Sequence, residues 1–290
     1  MGHHALQRVV VRMIYDPVFA RSVSADARRA LKDVSLSEAE VSWLKDVDPR
    51  AFATDVHRVD RTLKAMIDEY PRSTAIIFRR DTNLQGLAAF FSEREFHEAI
   101  QNRLSLAISF GDYLMRYAGR LERDLRSMAD LEQNLAALQR NKTPEFFGKA
   151  EYCLHPCVSL HQAPKGTLEL FVELGNRLSR VNTDLANAAL SGTVKIEDLE
   201  PLEDRRFEFI LAVKDFASGG VSLERCSETL YGLLVMAQGG SSREDLIDVV
   251  LREGGTRKEA AEIIKGFLDE GLLFRVIKKS KNTPEPKRRT

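Results

Sequence analysis

The chain has 290 residues, 43% of them hydrophobic and 30% charged, which is enough apolar material for a packed core and excludes a disordered or collagen-like chain. Lys plus Arg and Asp plus Glu both number 43, so the net charge is +0 and the isoelectric point is about 7.0. That balance argues against a dedicated nucleic-acid binder, which carries a basic excess. The three cysteines, Cys153, Cys157 and Cys226, do not make a disulfide framework and point to a reducing, cytoplasmic setting.

The first expected helix covers Leu6 to Val23, with a kink or break at Asp16-Pro17, because proline removes a backbone donor. Within it Val9-Val10-Val11 is followed by Arg12 and Asp16, so no signal-peptide core is expected. No apolar run approaches the roughly 18–20 residues that span a bilayer. Ser37 and Glu40 form a capping box that opens a short helix ending near Val47. Asp48-Pro49 starts the next helix, carried to about Tyr70 by Phe52, Val56, Val59, Leu63, Met66 and Ile67 at helical spacing. Tyr70-Pro71 ends or breaks it. A second capping box is expected at Ser92 to Glu95, opening a helical run from Phe96 to Tyr117. Leu121 to Leu138 continues the pattern, with leucines and Met128 over a charged face.

The texture changes at Asn141 to Pro144. Tyr152 to Leu160, Thr167 to Leu174 and Phe207 to Phe216 are rich in β-branched and aromatic residues and read as strands. Pro164-Lys165-Gly166, Gly175-Asn176 and Ser218-Gly219-Gly220 supply turns between them. Leu178 to Asp204 is ambiguous between a short helix and a loop. Three short helices follow: Ser227 to Gln238, one opened by a capping box at Ser241 to Glu244, and one opened by a box at Thr256 to Glu259. Gly254-Gly255 and Gly271 act as C-caps. Leu272 to Ile277 reads as a strand and Lys278 to Thr290 as a basic, disordered tail. The expected class is α+β, in four segments: a helical bundle over 1–140, a strand-rich connection over 141–206, a winged-helix-like domain over 207–277 and the tail over 278–290.

Candidate chemistry is sparse. Cys153, His155, Cys157 and His161 have metal-capable side chains. At i, i+2 and i+4 the first three share a face if the strand is unbroken, and thiolates with imidazole then suit zinc. Pro156 disturbs that strand, and the competing reading is two inert buried cysteines. His57 and Asp60 lie one helical turn apart, and His97 is flanked by Glu95 and Glu98. The paired Glu-x-x-His motifs of di-metal bundles are missing, so solvated helix faces are the simpler reading. Cys226 precedes a helix start, where the dipole lowers a thiol pKa, but no base accompanies it in sequence. No P-loop, G-x-G-x-x-G or G-x-S-x-G motif occurs. A binding role is therefore favoured over catalysis. The helix from Arg257 to Glu270 is net acidic, which disfavours contact with DNA phosphates. Peptide recognition by strand addition remains for such a module.

Residues 207–277 resemble the RiPP recognition element, the winged-helix-like domain that captures the leader of ribosomally made, modified peptides. The resemblance rests on Phe207 to Val213, Gly220 to Leu223, Leu230 to Leu234, Gly239 to Ile247 and Phe267 to Leu273. Together with Ile14 to Phe19, Leu36 to Glu40 and Trp43-Leu44, the two-part layout is similar to the partner subunits of multinuclear non-haem iron oxidases. Such partners occur in the methanobactin and 3-thiaglutamate pathways, and in length and layout the latter are the more similar. The resemblance implies a non-catalytic subunit with no cofactor of its own. It would bind a ribosomal precursor or scaffold peptide and present that peptide's cysteine to an iron-bearing TIM-barrel oxidase. In the thiaglutamate case the β-carbon of that cysteine is excised. On this reading Phe207, Phe209, Leu211 and Val213, with Ile263 and Phe267, line the peptide groove. Which strand alternation faces the peptide is open. The alternatives are a winged-helix DNA-binding regulator and a small metalloenzyme using Cys153, His155, Cys157 and His161.

Overall fold

The computed structural model describes residues 2–53, 55, 57–80, 84–119, 123–140, 150–180, 202, 206–215 and 217–276. The expected tail over 278–290 and the break at 141–144 lie outside the described residues. The chain mixes helices with small antiparallel sheets and divides into two compact units: 1–137 with 164–206, and 138–163 with 207–290.

The first unit is helical. It begins with α1 (Gly2–Tyr15), α2 (Pro17–Ala25), α3 (Ala27–Ala30) and α4 (Glu38–Asp46). The expected kink is a full break, because Asp16 caps α2 with its carboxylate on the Phe19 N–H at 2.9 Å. The Ser37–Glu40 capping box is formed in both directions. The helix expected from Pro49 to Tyr70 is two pieces: a 3₁₀ turn over Pro49–Ala53 and α5 (Arg58–Glu69). Asp48 accepts from the Arg50 N–H and tightens that turn, while Asp55 holds Arg58 and Arg61 at the start of α5.

Pro71 opens α6 (Pro71–Arg80), followed by α7 (Gln85–Ala88), α8 (Arg94–Gln101), α9 (Leu106–Tyr117) and α10 (Arg123–Arg140). The capping box expected at Ser92 is not made. Glu93 stands at the N-cap without a side-chain capping bond, and the Ser92 hydroxyl donates to Asp16 instead. Rings of Tyr15, Phe90, Phe91, Phe96 and Phe110 pack mostly edge to face, with centroids 4.8–5.9 Å apart, and build the core.

Thr167 to Leu174 is helical rather than a strand and forms the start of α11 (Thr167–Arg180). Leu170, Phe171 and Leu174 are buried while Val172 is exposed, which is the spacing of a helix face. The β-branched and aromatic composition pointed the other way, and burial periodicity wins over propensity. Arg72 fixes this helix: its Nε donates to the Phe171 carbonyl at 2.9 Å and its guanidinium lies 3.5 Å over the Phe171 ring.

The second unit holds the sheets. The strand expected over Tyr152 to Leu160 is interrupted, giving β1 (Tyr152–Leu154) and β2 (Val158–Pro164). The Val158 N–H donates to the His155 carbonyl and closes the turn around Pro156. Then come β3 (Phe207–Lys214), β4 (Val221–Cys226), α12 (Glu228–Gln238), α13 (Arg243–Arg252), α14 (Arg257–Asp269) and β5 (Leu273–Arg275). The α13 capping box uses Ser242 and Asp245, one residue later than expected, and Thr256 with Glu259 caps α14 as expected. One sheet has the order β2-β3-β4, and the other pairs β1 with β5. Leu211, Leu233, Leu234, Ile247, Ile264 and Phe267 are central to the core shared by β3 and the three helices.

Candidate functional site

A hairpin positions the site. Asp215, Ser218 and Gly219 (φ 71) turn the chain from β3 into β4, and the Asp215 carboxylate accepts from the Ala217 and Ser218 N–H groups and the Ser218 hydroxyl. The Asp215 N–H donates to the Gly220 carbonyl at 2.8 Å. The register then pairs Val213 with Ser222, Leu211 with Glu224 and Phe209 with Cys226. In an antiparallel ladder these alternate pairs exchange the hydrogen bonds, so Ser222, Glu224 and Cys226 aim their backbone groups at β3. Val221, Leu223 and Arg225 aim theirs outward. On the other side of β3 the Lys214 N–H donates to the Cys157 carbonyl at 2.8 Å, so β2 occupies that edge.

β3 is therefore the middle strand and has no edge to offer. The outer edge belongs to β4, whose Val221 and Leu223 have no backbone partner outside the sheet among the described residues. β4 is also exposed: Ser222, Glu224 and Arg225 face solvent and Leu223 is half-buried. A row of outward N–H and C=O groups accepts an extended chain as a further strand.

The residues expected to line the groove fall into different environments. Leu211 (7% exposed) and Phe267 (7%) lie in the core. Val213 and Ile263 pack half-buried against it. The Phe209 ring sits 4.8 Å from that of Tyr231, and Phe207 is 60% exposed at the start of β3. The strand alternation is now clear. Phe209, Leu211 and Val213 face the helices, and Glu208, Ile210 and Ala212 face away and are also buried. Sequence reasoning missed β4 as the outer strand of this sheet. The signal was present in the Ser218-Gly219-Gly220 turn, which makes β3 and β4 a hairpin, but the third strand β2 is distant in sequence.

Charge along the edge is uneven. Arg225 donates its Nε to Glu208 at 2.6 Å, and that carboxylate is buried. Lys214 gives its Nζ to the Gln139 carbonyl. Glu224 and Glu228 are exposed and make no ion pair among the described residues. Cys226 donates its thiol to the Phe209 carbonyl at 3.6 Å, and burial pushes its pKa up rather than down.

The other candidates stand apart from this edge. Cys153 lies on β1 opposite Phe274, Cys157 lies in the turn after it, and burial pushes both thiols up. The His155 Nδ1 accepts from the Cys157 N–H at 3.3 Å, and His161 is buried on β2. The turn at Pro156 thus separates side chains that an unbroken strand would align. Among the described residues no three His, Cys, Asp or Glu side chains converge as a metal site. His57 and Asp60 form an exposed pair 3.8 Å apart. His97 is buried, with neither ring nitrogen partnered among the described residues, and burial and Arg12 hold its pKa down at about 4.

No protein-family model matches the chain, and no curated protein matches it. Among the described residues no helix is long and apolar enough to cross a membrane.

Proposed function

We propose that residues 207–276 form a winged-helix-like peptide-recognition module and that the chain is a non-catalytic partner subunit. It captures a ribosomal precursor or scaffold peptide as a strand along β4 and presents the peptide's cysteine to an iron-dependent TIM-barrel oxidase. The observation that carries the binding half is the pair of outward-facing residues Val221 and Leu223 on an exposed edge strand. The order β3-β4-α12-α13-α14-β5 supports the winged-helix reading. The oxidase half rests on the sequence resemblance. The iron belongs to the partner in this reading. The groove expected on β3 shifts to β4, with Phe209 and Tyr231 beneath its end and Ile263 half-exposed on α14.

Co-purification tests the whole reading. The tagged chain is expressed with its neighbouring genes, and the captured material is analysed by mass spectrometry and for iron. A stable complex with an iron-bearing barrel enzyme is expected. A chain that comes down alone and shifts DNA contradicts the proposal.

A further inference from the structure

A cleft of about 750 Å³ opens in the second unit between the start of β1, the start of α13 and the end of β5. Backbone bonds hold its walls. Tyr152 pairs with Arg275 across the β1–β5 ladder, and the Glu151 and Tyr152 N–H groups both donate to the Ser241 carbonyl, which fixes the start of α13 beside β1. Glu151, Tyr152, Arg243, Glu244 and Arg275 line the cleft. Its two carboxylates are engaged. Glu151 accepts from the Arg243 N–H at 3.2 Å, which turns its charge onto the first turn of α13, and Glu244 lies 3.4 Å from the Arg257 guanidinium. Its two guanidiniums are not engaged. Arg243 and Arg275 are exposed and have no carboxylate partner among the described residues. Arg275 lies 5.7 Å over the buried Tyr152 ring, which orients it without neutralising it. The unspent charge in the cleft is therefore positive and comes from two separate elements.

We infer that this cleft binds a small ligand through a carboxylate or phosphate group held by Arg243 and Arg275. A guanidinium presents a planar fork of N–H donors that matches two oxygens of either group. The volume suits a small molecule, for which sites span roughly 300–1,000 Å³. A cationic ligand meets two uncompensated guanidiniums there and is disfavoured. The inference is independent of strand addition at β4.

Titration of the full chain at low salt with inorganic phosphate, and separately with succinate, tests this by two-dimensional NMR of the backbone amides. Saturable shifts centred on Tyr152, Arg243 and Arg275 are expected with at least one of the two, weakening as salt rises. Saturation by phosphate alone assigns a phosphate ligand, and saturation by succinate alone a carboxylate. Arg243→Gln and Arg275→Gln, both at exposed positions, are each expected to weaken the saturating anion by about tenfold, the loss of one charge-assisted contact. Arg275→Lys, which keeps the charge but loses the fork, is expected to weaken it less. Arg252→Gln removes an exposed cation of α13 outside the cleft and is expected to change nothing. No saturation with either anion overturns the inference. So does an affinity that the two cleft variants leave unchanged, or one that Arg252→Gln lowers as much as they do.

Discussion

His97 is buried on α8, which packs against α1, with both ring nitrogens unpartnered among the described residues, and Arg8 and Arg12 oppose its protonation. Its pKa lies near 4 in the folded chain and near 6.5 in the unfolded one, so between those values the unfolded state binds more protons. Stability from this residue is complete above about pH 6.5, falls as pH drops and is lost below about 4, a difference of about 2–3 kcal/mol. His97→Leu should flatten that slope, as measured by urea midpoints of both proteins at neutral and mildly acidic pH; parallel slopes would contradict the assignment. Gly111 makes an opposite case, where a favourable propensity change loses to packing. A Cβ there would come within 2.5 Å of the Tyr70 hydroxyl, which is fixed by its 2.7 Å bond to the Ala107 carbonyl. Gly→Ala gains about 1 kcal/mol in a helix, but overpacking a buried site costs about 1–3 kcal/mol. Gly111→Ala should therefore lower the melting temperature. Little of this was legible beforehand: His97 read as a solvated helix residue, because its burial depends on α1, which is remote in sequence.

At the scale of elements, the caps were the most readable feature. Ser37–Glu40 and Thr256–Glu259 were visible as paired residues three apart and are formed. Thr256→Ala should cost about 1 kcal/mol of stability, read from denaturant unfolding. Ser92 shows the limit of such reading, since Asp16 competes for its hydroxyl across the bundle. Thr167 to Leu174 shows another: its composition suits a strand, but the apolar residues recur at helical spacing and Arg72 holds them from α6. The α6–α10 junction depends on Glu132, a buried carboxylate that accepts from the Arg72 and Ser73 N–H groups and the Ser73 hydroxyl and lies 3.7 Å from the Arg72 guanidinium. Glu132→Ala leaves that guanidinium without its counterion and α6 uncapped, and should destabilise by about 3–5 kcal/mol.

At the scale of the molecule, the α+β class and the helical first part were legible from periodicity, while the assembly of the second unit was not. β5 pairs with β1, and β3 with both β2 and β4, so strands from before 164 complete sheets whose other members lie after 206. Such long-range pairing leaves no local sequence mark, which is why the sequence points to β3 as a free strand although β2 and β4 flank it. A fragment of 207–276 lacks those partner strands and should melt without a cooperative transition, whereas the full chain should retain one, as followed by circular dichroism. The central claim concerns β4, and amide hydrogen exchange with and without the co-purified peptide tests it most directly. The account predicts that Val221 and Leu223 gain protection on binding, while Ser222 and Glu224, already bonded to β3, change little. Unchanged exchange at those two amides in a chain that has bound its peptide would contradict it.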